Sequence, residues 1–431
     1  MNRKILNLAV PNIISNITVP LLGMVDLALV GHLDSAVHIG AIALGGTIFN
    51  FIYWGFSFLR MGTSGFTAQA YGKGDFMEAT LWLVRALGAG LAGAMLVLLL
   101  QRSIGWVSFT LFGGSEEVEY WAARYFYIRI WAAPATITLY AFTGWFIGMQ
   151  NARFPMIITL AVNLLNIGFN TLLVLGAGMR SDGVALGTVL AQYSGLGIAI
   201  WLYLKYYRKA GTKTSILKAW DKDALKKFFL VNKDILIRTL CLIFVFTFFT
   251  AKSASRGDII LAVNTLLLQF FMVFSYLIDG FAYAAEALTG RYKGGGNLPM
   301  LKKTVRYLFA WGFALSIPFA LSYLAGGEFL IRILTSNREV ITGVQPYMFW
   351  TVIIPLITFP AFLWDGIYIG VTASAGMRNS MLISLTLVFL PGYYFLTPIL
   401  GNHGLWLAMM LFMASRGLVQ TVLSAKSVFG K

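Results

Sequence analysis

Val19-Pro-Leu-Leu-Gly-Met-Val-Asp-Leu-Ala-Leu-Val30 sets one carboxylate, Asp26, in an apolar run near the start of a 431-residue chain. A charge at bilayer depth costs several kcal/mol unless it is neutralised, paired or faces a wet cavity, so such a residue is read first as part of an ion or proton pathway. About a dozen similar apolar runs follow it. The chain is 58% hydrophobic and 12% charged, against about 25% charged in soluble domains, and its mean hydropathy is +0.75. These values describe a multi-pass membrane protein. Pro11, Asn12, Ser15 and Asn16 interrupt the first run and no small-residue cleavage site follows, so it is expected to stay as a membrane helix rather than leave as a signal peptide.

Runs long enough to cross about 30 Å of hydrocarbon fall at about residues 5–31, 40–71, 79–101, 120–149, 153–178 and 183–207, then 228–254, 258–290, 301–325, 343–374, 378–400 and 403–426. Twelve helices are expected. Lys and Arg cluster in alternate loops, most densely from Lys205 to Lys233, whereas an opposite loop carries Glu116, Glu117 and Glu119. The positive-inside rule then puts both termini in the cytoplasm, and the chain is expected in the cell (inner) membrane.

A shift of about 220 residues brings out an internal repeat. Phe56-Ser-Phe-Leu-Arg-Met-Gly62 lies over Phe274-Ser-Tyr-Leu-Ile-Asp-Gly280, Gly144-Trp-Phe-Ile-Gly148 over Gly366-Ile-Tyr-Ile-Gly370, and Gly183-Val-Ala-Leu186 over Gly404-Leu-Trp-Leu407. Six helices is an even number, so the second copy enters the bilayer as the first does, and the pseudo-twofold axis runs along the membrane normal. The expected fold is an all-α polytopic membrane protein of twelve transmembrane helices in two six-helix lobes: an N-lobe at 1–208, a basic cytoplasmic linker at 209–227 and a C-lobe at 228–431.

Helical periodicity groups the polar residues. Asn12, Asn16, Gly23 and Asp26 share one stripe of the first helix. Pro20 cannot bond to the Asn16 carbonyl, which makes Pro20 and Gly23 a candidate hinge beside Asp26. In the fifth helix Thr159, Asn163, Asn166 and Asn170 form an amide-rich face, read either as interhelical glue or as a ligand or proton site, the latter favoured by three amides on one side. Thr188 opens the sixth helix behind Gly183 and Gly187. Topology brings Asp26, Asn166, Asn170 and Thr188 to the same depth, the outer half of the first lobe. In the second lobe Tyr276, Asp279, Tyr283 and Glu286 form a stripe, and Asp365 follows Pro355, Thr358 and Pro360. Glu286 is expected in an interfacial ion pair with Arg291 or Lys293. Asp279 and Asp365, with Tyr276 and Tyr283, are open between internal pairing and a cation or substrate site.

Cys241 is the only cysteine, and His32, His38 and His403 are scattered, so neither a disulfide nor a metal centre is expected. The net charge of +16 is distributed as topology requires, not as a nucleic-acid surface. No nucleophile–base pair or nucleotide motif occurs, and Gly294-Gly-Gly296 lacks the Lys-Ser or Lys-Thr of a phosphate loop. The chain is therefore not expected to be an enzyme, to need a cofactor or to bind nucleic acid.

Pro20-Leu-Leu-Gly-Met-Val-Asp-Leu-Ala-Leu-Val-Gly-His-Leu-Asp34, Phe58-Leu-Arg-Met-Gly-Thr-Ser-Gly-Phe-Thr-Ala-Gln69, Gln150-Asn-Ala-Arg153 with Asn163-Leu-Leu-Asn166, and Asp365-Gly-Ile-Tyr-Ile-Gly370 together resemble the multidrug and toxic compound extrusion (MATE) family, in its DinF-like branch. The resemblance implies a monomeric two-lobed exporter with a V-shaped cavity, exchanging cytoplasmic amphipathic or cationic compounds for H+ or Na+. It implies that Asp26 is the coupling residue, supported by Asn166, Asn170 and Thr188, with Asn163 and Asn16 nearby. Relatives commonly have an aspartate where this chain has Asn170, and the seventh-helix glutamate of branches with a second-lobe Na+ site is missing, since no acid occurs from Ile235 to Ser255. H+ is accordingly the expected coupling ion, with Na+ as the alternative. A flippase for lipid-linked precursors is the nearest rival, and Arg60 is the deep basic residue it would use.

Overall fold

The structure is a computed structural model that describes residues 1–31, 36–112, 115–208 and 216–430. His32 and Asp34, and residues 209–215 of the expected linker, lie outside the described residues. Among the described residues twelve helices are long and apolar enough to cross a membrane: α1 (Asn2–Asp26), α2 (Val37–Lys73), α3 (Phe76–Leu99), α4 (Glu116–Gly148), α5 (Arg153–Gly176), α6 (Ser181–Tyr206), α7 (Lys222–Ala254), α8 (Asp258–Gly294), α9 (Leu298–Leu334), α10 (Arg338–Gly370), α11 (Ser374–Leu400) and α12 (Asn402–Ser427). No strand occurs among the described residues.

Helix ends follow capping chemistry more closely than the apolar runs do. The α4 helix starts four residues before its apolar run because Ser115 caps it and accepts from the Val118 amide, and Glu116, Glu117 and Glu119 sit in its first turn, where the helix dipole favours negative charge. The α9 helix runs nine residues past the expected end. Gly326 and Gly327 look like a stop, yet Gly327 is pressed under the Met348 side chain and the next turn carries a Glu328–Arg332 pair at 2.7 Å. A short helix, Gln101–Phe112, joins α3 to α4 and was not expected.

The chain folds into two compact units, residues 14–228 and residues 1–13 with 229–431. The division differs from the expected one at two places. The first thirteen residues pack with the second unit: Gly280 leaves the space taken by Ile13 and the Ala9 carbonyl, Lys4 Nζ donates to Tyr292 Oη at 3.4 Å, and Trp311 Nε1 donates to Asn2 Oδ1 at 3.1 Å. The segment after residue 215 packs with the first unit. There Arg85 donates to the Ala219 carbonyl at 2.9 Å and the Lys218 carbonyl at 3.2 Å while pairing with Glu78 at 2.8 Å.

The repeat extends to backbone detail. Gly74 and Gly296, Gln150 and Thr372, and Gly178 and Gly401 all have positive φ, each pair 222 or 223 positions apart. Asp75 caps α3 and Asn297 caps α9 in the same way. Within the first unit Gly144 lies on the Arg60 backbone and Gly148 on the Ser64 carbonyl; within the second Gly366 lies on the Ala282 backbone and Gly370 on the Glu286 carbonyl. These pairs put α2 and α8 in register one helical turn away from the match of Phe56–Gly62 with Phe274–Gly280. The packing that the glycines permit sets the register, and the aromatic phrases do not.

A methyl group at either site would press on a neighbouring backbone that cannot rotate away. Gly144→Ala and Gly366→Ala are each expected to cost about 1–3 kcal/mol, read as a lower thermal midpoint of the detergent-purified protein. Unchanged midpoints in both variants would show that the helices separate without penalty.

Candidate functional site

In the first unit, four polar residues from three helices form one hydrogen-bonded chain. Asn170 Nδ2 donates to Asp26 Oδ1 at 2.7 Å and to Asn166 Oδ1 at 2.8 Å; Asn166 Nδ2 donates to Thr188 Oγ1 at 3.0 Å, and Thr188 donates to the Val184 carbonyl at 2.8 Å. Asn166, Asn170 and Thr188 are buried and Asp26 is half-buried. The steps of four and three along α5 put both amides on one face, and α6 can approach because Gly187 lies against the Asn170 side-chain oxygen, where any side chain would collide. That oxygen is buried with no partner among the described residues. Two residues after Asn170 the helix widens into a π-helical turn, Leu172–Gly176, a distortion frequent at functional sites.

The other residues singled out from the sequence are placed differently. Asn163 lies on the same helix, but its Nδ2 has no partner among the described residues. Asn12 bonds to the Leu8 carbonyl of its own helix and belongs to the second unit, so the stripe it shares with Asn16 and Asp26 is divided between the units. The backbone is helical through Pro20, and a side chain at Gly23 would point into open space. Arg60 is buried.

Asp365 sits in a closed ionic cluster in the second unit. Its Oδ2 accepts from Arg238 and, at 2.7 Å, from Arg416, while Oδ1 accepts from Gln420 at 2.7 Å. Of the two roles left open for Asp365, internal pairing is the one observed; an added cation would meet two guanidinium groups. Asp279 interacts electrostatically with Arg416. Tyr276 and Tyr283 are half-buried on the same helix as Asp279. Glu286, expected at the interface, is instead buried at 1% exposure, and Lys293 donates to the Val428 carbonyl at 2.9 Å. Among the described residues no group of three or more His, Cys, Asp or Glu could hold a metal ion.

Sequence reasoning missed Arg129. It lies in α4 just before a 3₁₀ turn, Ile130–Ala132, that is followed by Pro134. The guanidinium donates to Tyr125 Oη and stacks over the rings of Phe49, at 4.8 Å, and Tyr125, at 5.4 Å. The argument that drew attention to Asp26, a charge inside an expected span, applies equally to it.

A model of the MatE family matches residues 11–172 and 235–395, one match in each half of the repeat. The chain belongs to the MatE family. DNA damage-inducible protein F of Escherichia coli (strain K12) is 38% identical over 97% of this chain and 90% of its own length. The probable multidrug resistance protein NorM of Thermotoga maritima is 25% identical over 79% of this chain and 74% of its own. A crystal structure of a MATE protein in the bent conformation covers 99% of this chain and 95% of its own with a TM-score of 0.90 at 17% identity, a likeness of fold. This MatE chain is thus a multi-pass, all-helical membrane protein of a transporter family.

Proposed function

We propose that this MatE chain is a multidrug efflux antiporter of the inner membrane, with both termini cytoplasmic, that exports amphipathic or cationic small molecules in exchange for protons by alternating access. The observation that carries the reading is the single carboxylate Asp26 hydrogen-bonded to a chain of neutral amides, Asn170 and Asn166. One acid beside amides can hold and release one proton. A dehydrated Na+ ion needs several oxygen ligands converging on one point, whereas the group that meets Asp26 Oδ1 is the Asn170 N–H donor, at 2.7 Å. The relatives' names point the same way, since one is a probable multidrug resistance protein. Proton uptake by Asp26 from outside alters its bond to Asn170, and substrate leaves as α1 changes shape near Pro20.

The test uses the purified protein in liposomes with imposed gradients of H+ or of Na+, following a cationic dye and, separately, a fluorescently labelled lipid. Dye movement with the H+ gradient alone is the expected result. Dye movement only with Na+ would reassign the coupling ion, and lipid movement without dye movement would replace the exporter with a flippase.

A further inference from the structure

An arginine in a membrane-spanning helix is costly to insert and is ordinarily paired or functional. Among the described residues Arg129 is not paired with an acid. Its one hydrogen bond among the described residues goes to Tyr125 Oη, its Nε is buried without a partner, and no carboxylate of the described residues lies within 4.0 Å. The neighbouring rings hold the side chain in place. Gly45 leaves room for Tyr125, Phe49 stacks on Phe126 at 5.4 Å and on Tyr53 at 5.7 Å, and the guanidinium rests on Phe49 and Tyr125. Aromatic faces offset part of the cost of a buried cation and leave its N–H groups without anionic acceptors.

Asp26 is the carboxylate whose charge acts on Arg129. The two interact electrostatically without forming an ion pair. Asp26 has only its Oδ1 engaged by the described residues and is half-buried, as is Arg129, so neither group is sealed off. Opposite charges held apart within one unit, one on an amide chain and the other on an aromatic shelf, form a bipolar site. A substrate that carries only a positive charge would meet Asp26 and be repelled by Arg129. One that carries both an ammonium and a carboxylate would satisfy both.

We infer that Arg129 recognises a carboxylate on the transported molecule, so that the preferred substrates of the Asp26 site are zwitterions rather than simple cations. The inference rests on the exporter reading for its physiological meaning, but its contacts are an equilibrium property. Guanidinium and carboxylate match through two parallel N–H···O bonds, a geometry that lysine reproduces only as a point charge. Loss of the charge partner should therefore fall on the acid form of a ligand and spare its ester.

Tetramethylrhodamine and its methyl ester differ in that one group. Their equilibrium binding to the purified full-length protein is measured by fluorescence anisotropy, for the unaltered chain, Arg129→Gln and Arg129→Lys. The unaltered protein is expected to bind the acid at least as tightly as the ester. In Arg129→Gln the ratio of acid to ester affinity should fall tenfold or more, with Arg129→Lys between. Because the ratio is taken within each protein, partial unfolding cancels from it. A smaller fall, or no measurable binding of the acid by the unaltered protein, overturns the assignment. Failure of gradient-driven dye export with the affinity ratio behaving as expected would sink the exporter reading and leave this one standing.

Discussion

Asp26→Asn is expected to reduce proton-driven efflux by about two orders of magnitude or more, to the leak of protein-free liposomes, because a proton can shift a conformational equilibrium only through a group that binds it differently in the two states. Asparagine keeps the size of the side chain and an oxygen that can still accept from Asn170 Nδ2, the bond that Asp26 makes at 2.7 Å. The half-buried position also lets water serve the new amide. Folding should therefore change by no more than about 1 kcal/mol, checked by the thermal midpoint in detergent. Asp26→Glu should keep part of the transport, since the longer acid titrates but displaces the Asn170 contact. Full-rate efflux by a well-folded Asp26→Asn protein would mean that the proton is carried elsewhere.

Helix number and the two-fold repeat were legible because each rests on a local property, run length in one case and phrase order in the other. The Asp26–Asn170–Asn166–Thr188 chain was legible for a related reason: helical period put the amides on one face, and alternating topology put the three helices' polar groups at one depth. What escaped depends on contacts between distant segments. Residues 1–13 join the second unit because Gly280 makes a space for Ile13, which nothing near residue 13 announces. The alignment of α2 with α8 across the repeat was missed by one turn because glycine–backbone contact sets it, and the phrase match followed aromatic residues that tolerate sliding. Arg129 stands in a stretch dense with aromatic and charged residues, Tyr120-Trp-Ala-Ala-Arg-Tyr-Phe-Tyr-Ile-Arg129, where one more charge draws no notice; its shelf, Phe49, comes from α2. Asp365 was visible as a buried acid, while its partners lie 51 and 127 positions away.

That cluster makes the second large prediction, because the two readings of Asp365 differ in what its removal does. If the carboxylate serves mainly to neutralise Arg238 and Arg416, then Asp365→Asn leaves two buried guanidinium groups side by side, and stability should fall by about 3–5 kcal/mol. Arg416 is 1% exposed, out of reach of bulk solvent, although Asp279 supplies some compensation. Replacing Arg416 with methionine in the Asp365→Asn background removes one of the two orphaned charges and should recover part of the loss, giving a coupling energy of about 1.5 kcal/mol or more in a double-mutant cycle. A cation site predicts otherwise. Asp365→Asn would then cost little in ion-free buffer, and Na+ would raise the midpoint of the unaltered protein but not of the variant. Repulsion argues against this, since each unit charge at about 4 Å opposes a bound cation by about 4 kcal/mol at an effective dielectric of 20, and both carboxylate oxygens already accept from the arginines and Gln420. Midpoints measured with and without Na+ across the cycle decide between them, and an Asp365-dependent stabilisation by Na+ would move the ion-binding function into the second unit.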